Sequence, residues 1–168
     1  MTRTPWVQPD EIDKIIDHQL KDWNSDALRD KEWMIVNADI RQLSGFLDTG
    51  QITITEITAL YLLRIKRWNA KMRMVISVNP HAVAEAKKLD ASRKSVNHAG
   101  PLHGIPVLVK DNIHTRDEMA TTAGTIAFKE NFARQDAFIV EKLRDAGAII
   151  LAKANLSELG NFISFEIT

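Results

Sequence analysis

The sequence predicts an α/β fold, and three observations carry that reading. Short apolar runs at 74–78, 105–110 and 148–152 have the length and composition of buried strands. Stretches with helical periodicity and capping signals lie between them. The alternation of the two kinds of element favours a sheet with parallel pairs and helices against it.

The elements follow in order. Residues 1–37 form an acidic, tryptophan-bearing lead-in, within which Ile12, Ile15, Ile16 and Leu20 recur at helical spacing. They predict an amphipathic helix over 11–23, with Trp23 and Trp33 as docking anchors. A second helix is expected from Asp39 to Leu47, stopped by the Asp48–Gly50 turn. Thr53 followed by Glu56 is a capping-box pattern and opens a helix to about Asn69. Met74–Val78 reads as a strand, and Pro80 starts a helix to about Arg93. A loop at 94–101 leads to the strand 105–110, in which Val107 and Val109 are expected to be buried. A polar loop then runs through Thr125. A helix from near Asp136 ends at Gly147 as its C-terminal glycine, and the strand 148–152 buries Ile149 and Leu151. Asn155 is expected to cap a last short helix.

Composition narrows the function. Of 168 residues, 45% are hydrophobic and 26% charged, as in an ordinary soluble domain large enough for a real core. Lys plus Arg equals Asp plus Glu at 22 each, so no net field steers DNA or anionic lipid. The absence of cysteine excludes disulfides, thiolate nucleophiles and sulfur-ligated zinc within these residues. No apolar run approaches membrane length and the first residues lack a signal-peptide core, so the cytoplasm is the default location.

The chemistry concentrates in "GPLHGIPVLVKDNI", residues 100–113. Lys110 closes the strand just as the chain turns polar. A lysine there is either a solvated strand end or a base at the carboxyl end of a sheet strand, where α/β folds place their chemistry. Desolvation makes such an amine easier to deprotonate. Gly104, between prolines, reads as a rigid turn, since the spacing fits neither a dinucleotide fingerprint nor a P-loop. His103 and His114 have no metal-binding pattern around them and read as loop residues. The basic stretch "RIKRWNAKMR", residues 64–73, complements a helix C-terminus, and nucleic acid is the weaker reading beside neutral overall charge. "TTAGT", residues 121–125, signals a turn that could line a pocket beside Lys110.

Taken together, "GPLHGIPVLVKDNI", "TTAGT" and "DAFIVEKLRDAGAIILAKANLSELGNF" (residues 136–162) resemble the amidase signature family, with weaker similarity back to about residue 39. The resemblance implies the N-terminal portion of that fold, a mixed β-sheet flanked by helices and incomplete in this chain. It divides the chain into a helical lead-in, 1–37, and an amidase-type α/β portion, 38–168. It further implies hydrolysis of a carbon–nitrogen amide bond by a serine–serine–lysine arrangement in which Lys110 is the catalytic base, with no metal and no organic cofactor. A small-molecule amide would be the substrate.

Both family serines sit in a Gly/Ser-rich segment downstream of these motifs, and none of Ser25, Ser44, Ser77, Ser92, Ser95, Ser157 and Ser164 has such surroundings. The 168 residues alone are therefore expected to be inactive. Their open sheet edges should associate with a missing C-terminal portion or with another copy. The long lead-in favours a free-standing amidase over the glutaminase-type component of a tRNA-dependent amidotransferase. A truncated paralogue serving as an interaction module is the non-enzymatic alternative.

Overall fold

Thr53 and Glu56 cap a helix as their spacing predicts: the Thr53 hydroxyl accepts from the Glu56 N–H, and the Glu56 carboxylate accepts from the Thr53 N–H at 2.8 Å. In the computed structural model, which describes residues 9–93 and 100–160, this helix is the centre of the packing. The elements in order are α1 (Pro9–Leu20), α2 (Ser25–Arg29), α3 (Ile40–Asp48), α4 (Ile54–Met72), β1 (Val75–Val78), α5 (Ala82–Arg93), β2 (Pro106–Lys110), α6 (Phe138–Asp145) and β3 (Ile149–Ala154). Most of the expected loop at 94–101 lies outside the described residues, as does Ser164.

The three strands form one mixed sheet in the order β1-β3-β2. β2 and β3 are parallel, joined through α6, whereas β1 runs antiparallel to β3. Asn79 follows β1 and is fully buried. Its amide donates to Ile150 O and its side-chain oxygen accepts from the His81 N–H, which turns the chain into α5. α5 returns the support: the Asp90 carboxylate accepts from the N–H groups of Ile54 and Thr55, at 2.8 and 2.9 Å, at the start of α4.

Each face of the sheet has its own core. The larger joins Ile12 and Ile16 of α1, Leu43 and Leu47 of α3, Ile54, Ile57, Leu60 and Leu62 of α4, and Val75, Ile149, Leu151 and Ala152 of the sheet. The smaller, on the α6 side, contains Val109, Met119, Val140 and Ile150. The lead-in contributes to the main core, and charge ties it down as well. Glu32 accepts from Arg64 at 2.8 Å and from Arg67 at 3.1 Å, and Lys66 pairs with Asp17. These carboxylates occupy much of the basic stretch that sequence alone could have offered to nucleic acid.

Several expectations shift in detail. Trp23 packs against the core, but Trp33 is 65% exposed and meets Phe46 edge-on, because its place in a short 3-10 turn points it outward. Val109, Ile149 and Leu151 are buried, whereas Val107 is only half-buried and Leu108 is 43% exposed. β2 lies at the edge of the sheet, so neighbours cover it less than its apolar sequence suggests. Asn155 accepts from the next residue's N–H and donates to Arg73 O, and is followed by a 3-10 turn, Glu158–Gly160, in place of a regular helix among the described residues. Among those residues no helix is long and apolar enough to cross a membrane.

Candidate active site

The approach to β2 is fixed by backbone geometry. Gly104 has φ +79°, and a Cβ there would come within 2.5 Å of the Ile54 side chain, so only glycine lets the chain pass this close to α4. Its N–H donates to Gly147 O, which aligns the starts of β2 and β3. β2 then delivers Lys110 to its carboxyl end, where the side chain is exposed. Strand alternation places Lys110 on the face of Leu108, opposite Val109. Leu108 lines an apolar groove of about 700 Å³ with Trp68, Met72 and Met74, so Lys110 stands on the sheet face that α4 covers only in part.

The chain turns sharply after the lysine. Asp111 N–H donates to Ala154 O at 3.0 Å, extending the pairing with β3, and Ile113 N–H donates to Lys110 O at 2.9 Å. The Asp111 side chain is fully buried. One carboxylate oxygen accepts from the Thr122 N–H and hydroxyl, while the other is buried with no hydrogen-bond partner. Burial pushes its pKa above the ordinary carboxylate value, against the lowering effect of the Thr122 hydrogen bonds and of the Lys153 charge.

The "TTAGT" stretch lies directly against this turn. Thr121, Thr122 and Thr125 are buried, and Ala123 N–H donates to Asp111 O at 3.1 Å. Ala123 and Gly124 are both left-handed, at φ +50° and +72°, and a Cβ on Gly124 would meet Leu156 O at 2.9 Å. A non-glycine residue held at positive φ is a strained conformation of the kind that recurs at functional sites. The structure therefore joins residues 121–125 to Asp111, the residue that follows Lys110.

Sequence reasoning missed Lys153. Its side chain has no solvent exposure, and its amine donates to Ile113 O at 3.0 Å and to the Thr121 hydroxyl at 2.5 Å. Burial pushes its pKa down to about 8, outweighing the raising effect of the carboxylates of Asp111, Asp117 and Asp136. A bulge hides it from periodicity. The β2–β3 register shifts between Val107 and Leu108, leaving Leu151 and Ala152 in succession in the larger core. The extra residue turns Lys153 toward the face of Ile150 and Val109 instead of that of Ile149 and Leu151. The expected strand also stops at 152, two residues short of the observed end.

Neither candidate histidine is among the hydrogen-bond partners of Asp111 or Lys153. His103 is half-buried with its Nε2 unpartnered, and burial holds its pKa below the ordinary value. His114 is exposed. Among the described residues no group of three or more His, Asp or Glu side chains is placed to hold a metal ion. Ser157 is exposed beside Gly124, whose Cβ position lies 3.2 Å from Ser157 O.

Known proteins resemble this chain in both sequence and fold. The Amidase family model matches residues 56–167. The amidase-type protein C869.01 of Schizosaccharomyces pombe is 40% identical over 122 residues, covering 73% of this chain and 21% of that protein. A glutamyl-tRNA(Gln) amidotransferase component from Exiguobacterium sibiricum is 38% identical over 120 residues, covering 71% of this chain and 24% of its own length. The crystal structure of an amidase family protein from Bacillus anthracis superposes with a TM-score of 0.89 at 40% identity, covering 95% of this chain and 32% of that one. The chain thus spans between about a fifth and a third of the length of these relatives. With a family match over most of its length and a fold shared through its lead-in, the chain belongs to the amidase family.

Proposed function

We propose that this chain is the lysine-bearing portion of an amide hydrolase in which Lys110 is the catalytic base. The observation that carries the reading is the position of Lys110. It sits at the carboxyl end of a parallel strand, exposed on the partly open sheet face and buttressed from behind by a buried, strained turn. In the mechanism, the neutral lysine amine takes a proton from a bridging serine, which takes the proton of a second serine. That serine's oxygen attacks the amide carbonyl carbon to form a tetrahedral oxyanion. Collapse breaks the C–N bond as the proton returns along the same relay to the leaving amine. Water then hydrolyses the acyl-enzyme. Both serines would come from a continuation of the chain comparable to the relatives' remaining length, so these 168 residues have the base without its nucleophile. The continuation, or a second copy, would also be the partner for the open sheet face. No metal and no organic cofactor enters this scheme.

A free-standing amidase is favoured over an amidotransferase component. The structural likeness to the Bacillus anthracis amidase covers 95% of the chain and so takes in the lead-in, which supports the free-standing reading. The test is hydrolysis of a simple aryl amide by three proteins: these 168 residues, a protein continued to the relatives' length, and its Lys110→Ala variant. Turnover by the second alone supports the reading. Turnover by the first or the third removes it, and a continuation without a serine-bearing Gly/Ser-rich segment would favour a non-catalytic interaction module.

A further inference from the structure

The loop that follows Lys110 is held by two buried charged residues of opposite sign. Thr121 is held by Lys153 and Thr122 by Asp111, and these two threonines are adjacent. Lys153 also reaches Ile113 O, and the N–H of that same residue donates to Lys110 O. A continuous path therefore runs from the Lys153 amine through the backbone of Ile113, by its C=O and its N–H, to the Lys110 carbonyl. A second runs through Thr121, Thr122 and Asp111 to the residue bonded to Lys110. From these contacts we infer that Lys153 is a positioning residue for the reaction, its buried amine clamping both ends of the 111–122 loop so that Lys110 leaves β2 in one fixed direction.

The chemistry of the clamp argues for a role beyond filling space. A buried lysine is costly, and methionine or leucine would pack the same volume without that cost. What an amine adds is several donors at one point, enough to bind a carbonyl and a hydroxyl at once. Its direct partners are neutral and belong to the two ends of one loop, separated by seven residues. Lys153 is enclosed on the α6 face of the sheet, opposite the face of Lys110, so it acts on Lys110 through the loop and not through the substrate.

The catalytic half of this inference rests on the reading of Lys110 as the base, and the experiment separates the two. In these 168 residues, Lys153→Met should quicken hydrogen exchange at Ile113 and Ala123 by at least about tenfold, because the carbonyl and hydroxyl lose their shared donor. The chain has no cysteine, so Lys153→Cys can be aminoethylated while unfolded and then refolded. The restored amine should return protection to both amides, which a space-filling role would not do.

In the protein continued to the relatives' length, Lys153→Met should lower kcat roughly ten- to hundredfold with KM nearly unchanged, the cost of a misdirected base. The shape of the pH–rate profile should persist, since Lys110 still moves the proton. Should Lys153→Met fail to fold, Thr121→Val removes one acceptor at constant volume and should show the same pattern to a smaller degree. Wild-type exchange together with wild-type kcat in either variant overturns the inference. Complete loss of turnover in a folded Lys153→Met protein also overturns it, because Lys153 would then be the base. Turnover by Lys110→Ala removes the reading of Lys110 and with it the catalytic half, while the exchange result still decides whether the clamp exists.

Discussion

Lys110 and Lys153 sit at the same end of the same sheet, in adjacent strands one register step apart, and their surroundings are opposite. Lys110 pairs with Ala154 and projects into the open, while Lys153 pairs with Val109 and has no exposure at all. If low basicity alone marked a catalytic lysine, Lys153 would be chosen, since burial takes its amine down to about 8. Access favours the proposed assignment of Lys110 instead. A base must reach the proton it removes, and an amine enclosed by a carbonyl and a threonine hydroxyl has no substrate face. In this pair, perturbed basicity goes with burial, and access goes with the lysine proposed as the base.

The largest effect that would sharpen or break the comparison is on turnover. In the protein continued to the relatives' length, Lys110→Ala should lower kcat on the order of 10⁴-fold or more, as loss of one member of a cooperating set does. Its thermal unfolding should move little, because an exposed side chain carries about 0.5 kcal/mol or less. Steady-state kinetics and calorimetry on one preparation check both halves; a Lys110→Ala protein that unfolds early would show the lysine to be structural after all.

Stability against pH comes next in size, and there Lys153 dominates. Between its folded value of about 8 and the ordinary 10.5, the unfolded chain holds a proton that the folded chain has shed. Stability therefore rises with pH through that window, and the contribution is lost as pH falls through about 8. Its ceiling is about 3 kcal/mol, from the difference between about 8 and 10.5. Denaturant midpoints measured from pH 7 to 10 should climb in the parent chain and climb less in Lys153→Met. Equal slopes in the two proteins would remove the claim that Lys153 titrates with folding.

How much of this was legible in the sequence depends on which interactions are local. The Thr53–Glu56 capping box and the positive φ of Gly147 are decided within a few residues, and both appear as read. The position of Lys110 at a strand end was visible because an apolar run stops at it. The clamp was not visible, because a register shift between β2 and β3 sets the direction of Lys153. That shift is a property of two strands separated by α6, not of "ILAKAN" itself. Trp33 departs from expectation for a related reason: its hydrophobicity says that it should find a partner, but the turn that carries it is not encoded in the helical pattern of 11–23. The partial exposure of Val107 and Leu108 likewise follows from β2 lying at the sheet edge, which composition alone does not reveal.

The smallest effect worth measuring compares the two faces of β2 on which the lysines depend. Val109 shares the face of Lys153, is 5% exposed and packs with Met119, Val140 and Ile150. Truncating it to alanine removes two buried methyl groups and should cost about 2 kcal/mol from lost transfer energy and the cavity left behind. Leu108, on the face of Lys110, is already 43% exposed, so Leu108→Ala should cost well under half of that in these 168 residues. The two costs should draw together in the protein continued to the relatives' length if the added chain covers the Leu108 face. Urea unfolding of both variants in both chain lengths reads this directly. A Leu108→Ala cost that stays small in the longer protein would mean that the face beside Lys110 remains open, leaving a base with no wall to hold its substrate against it.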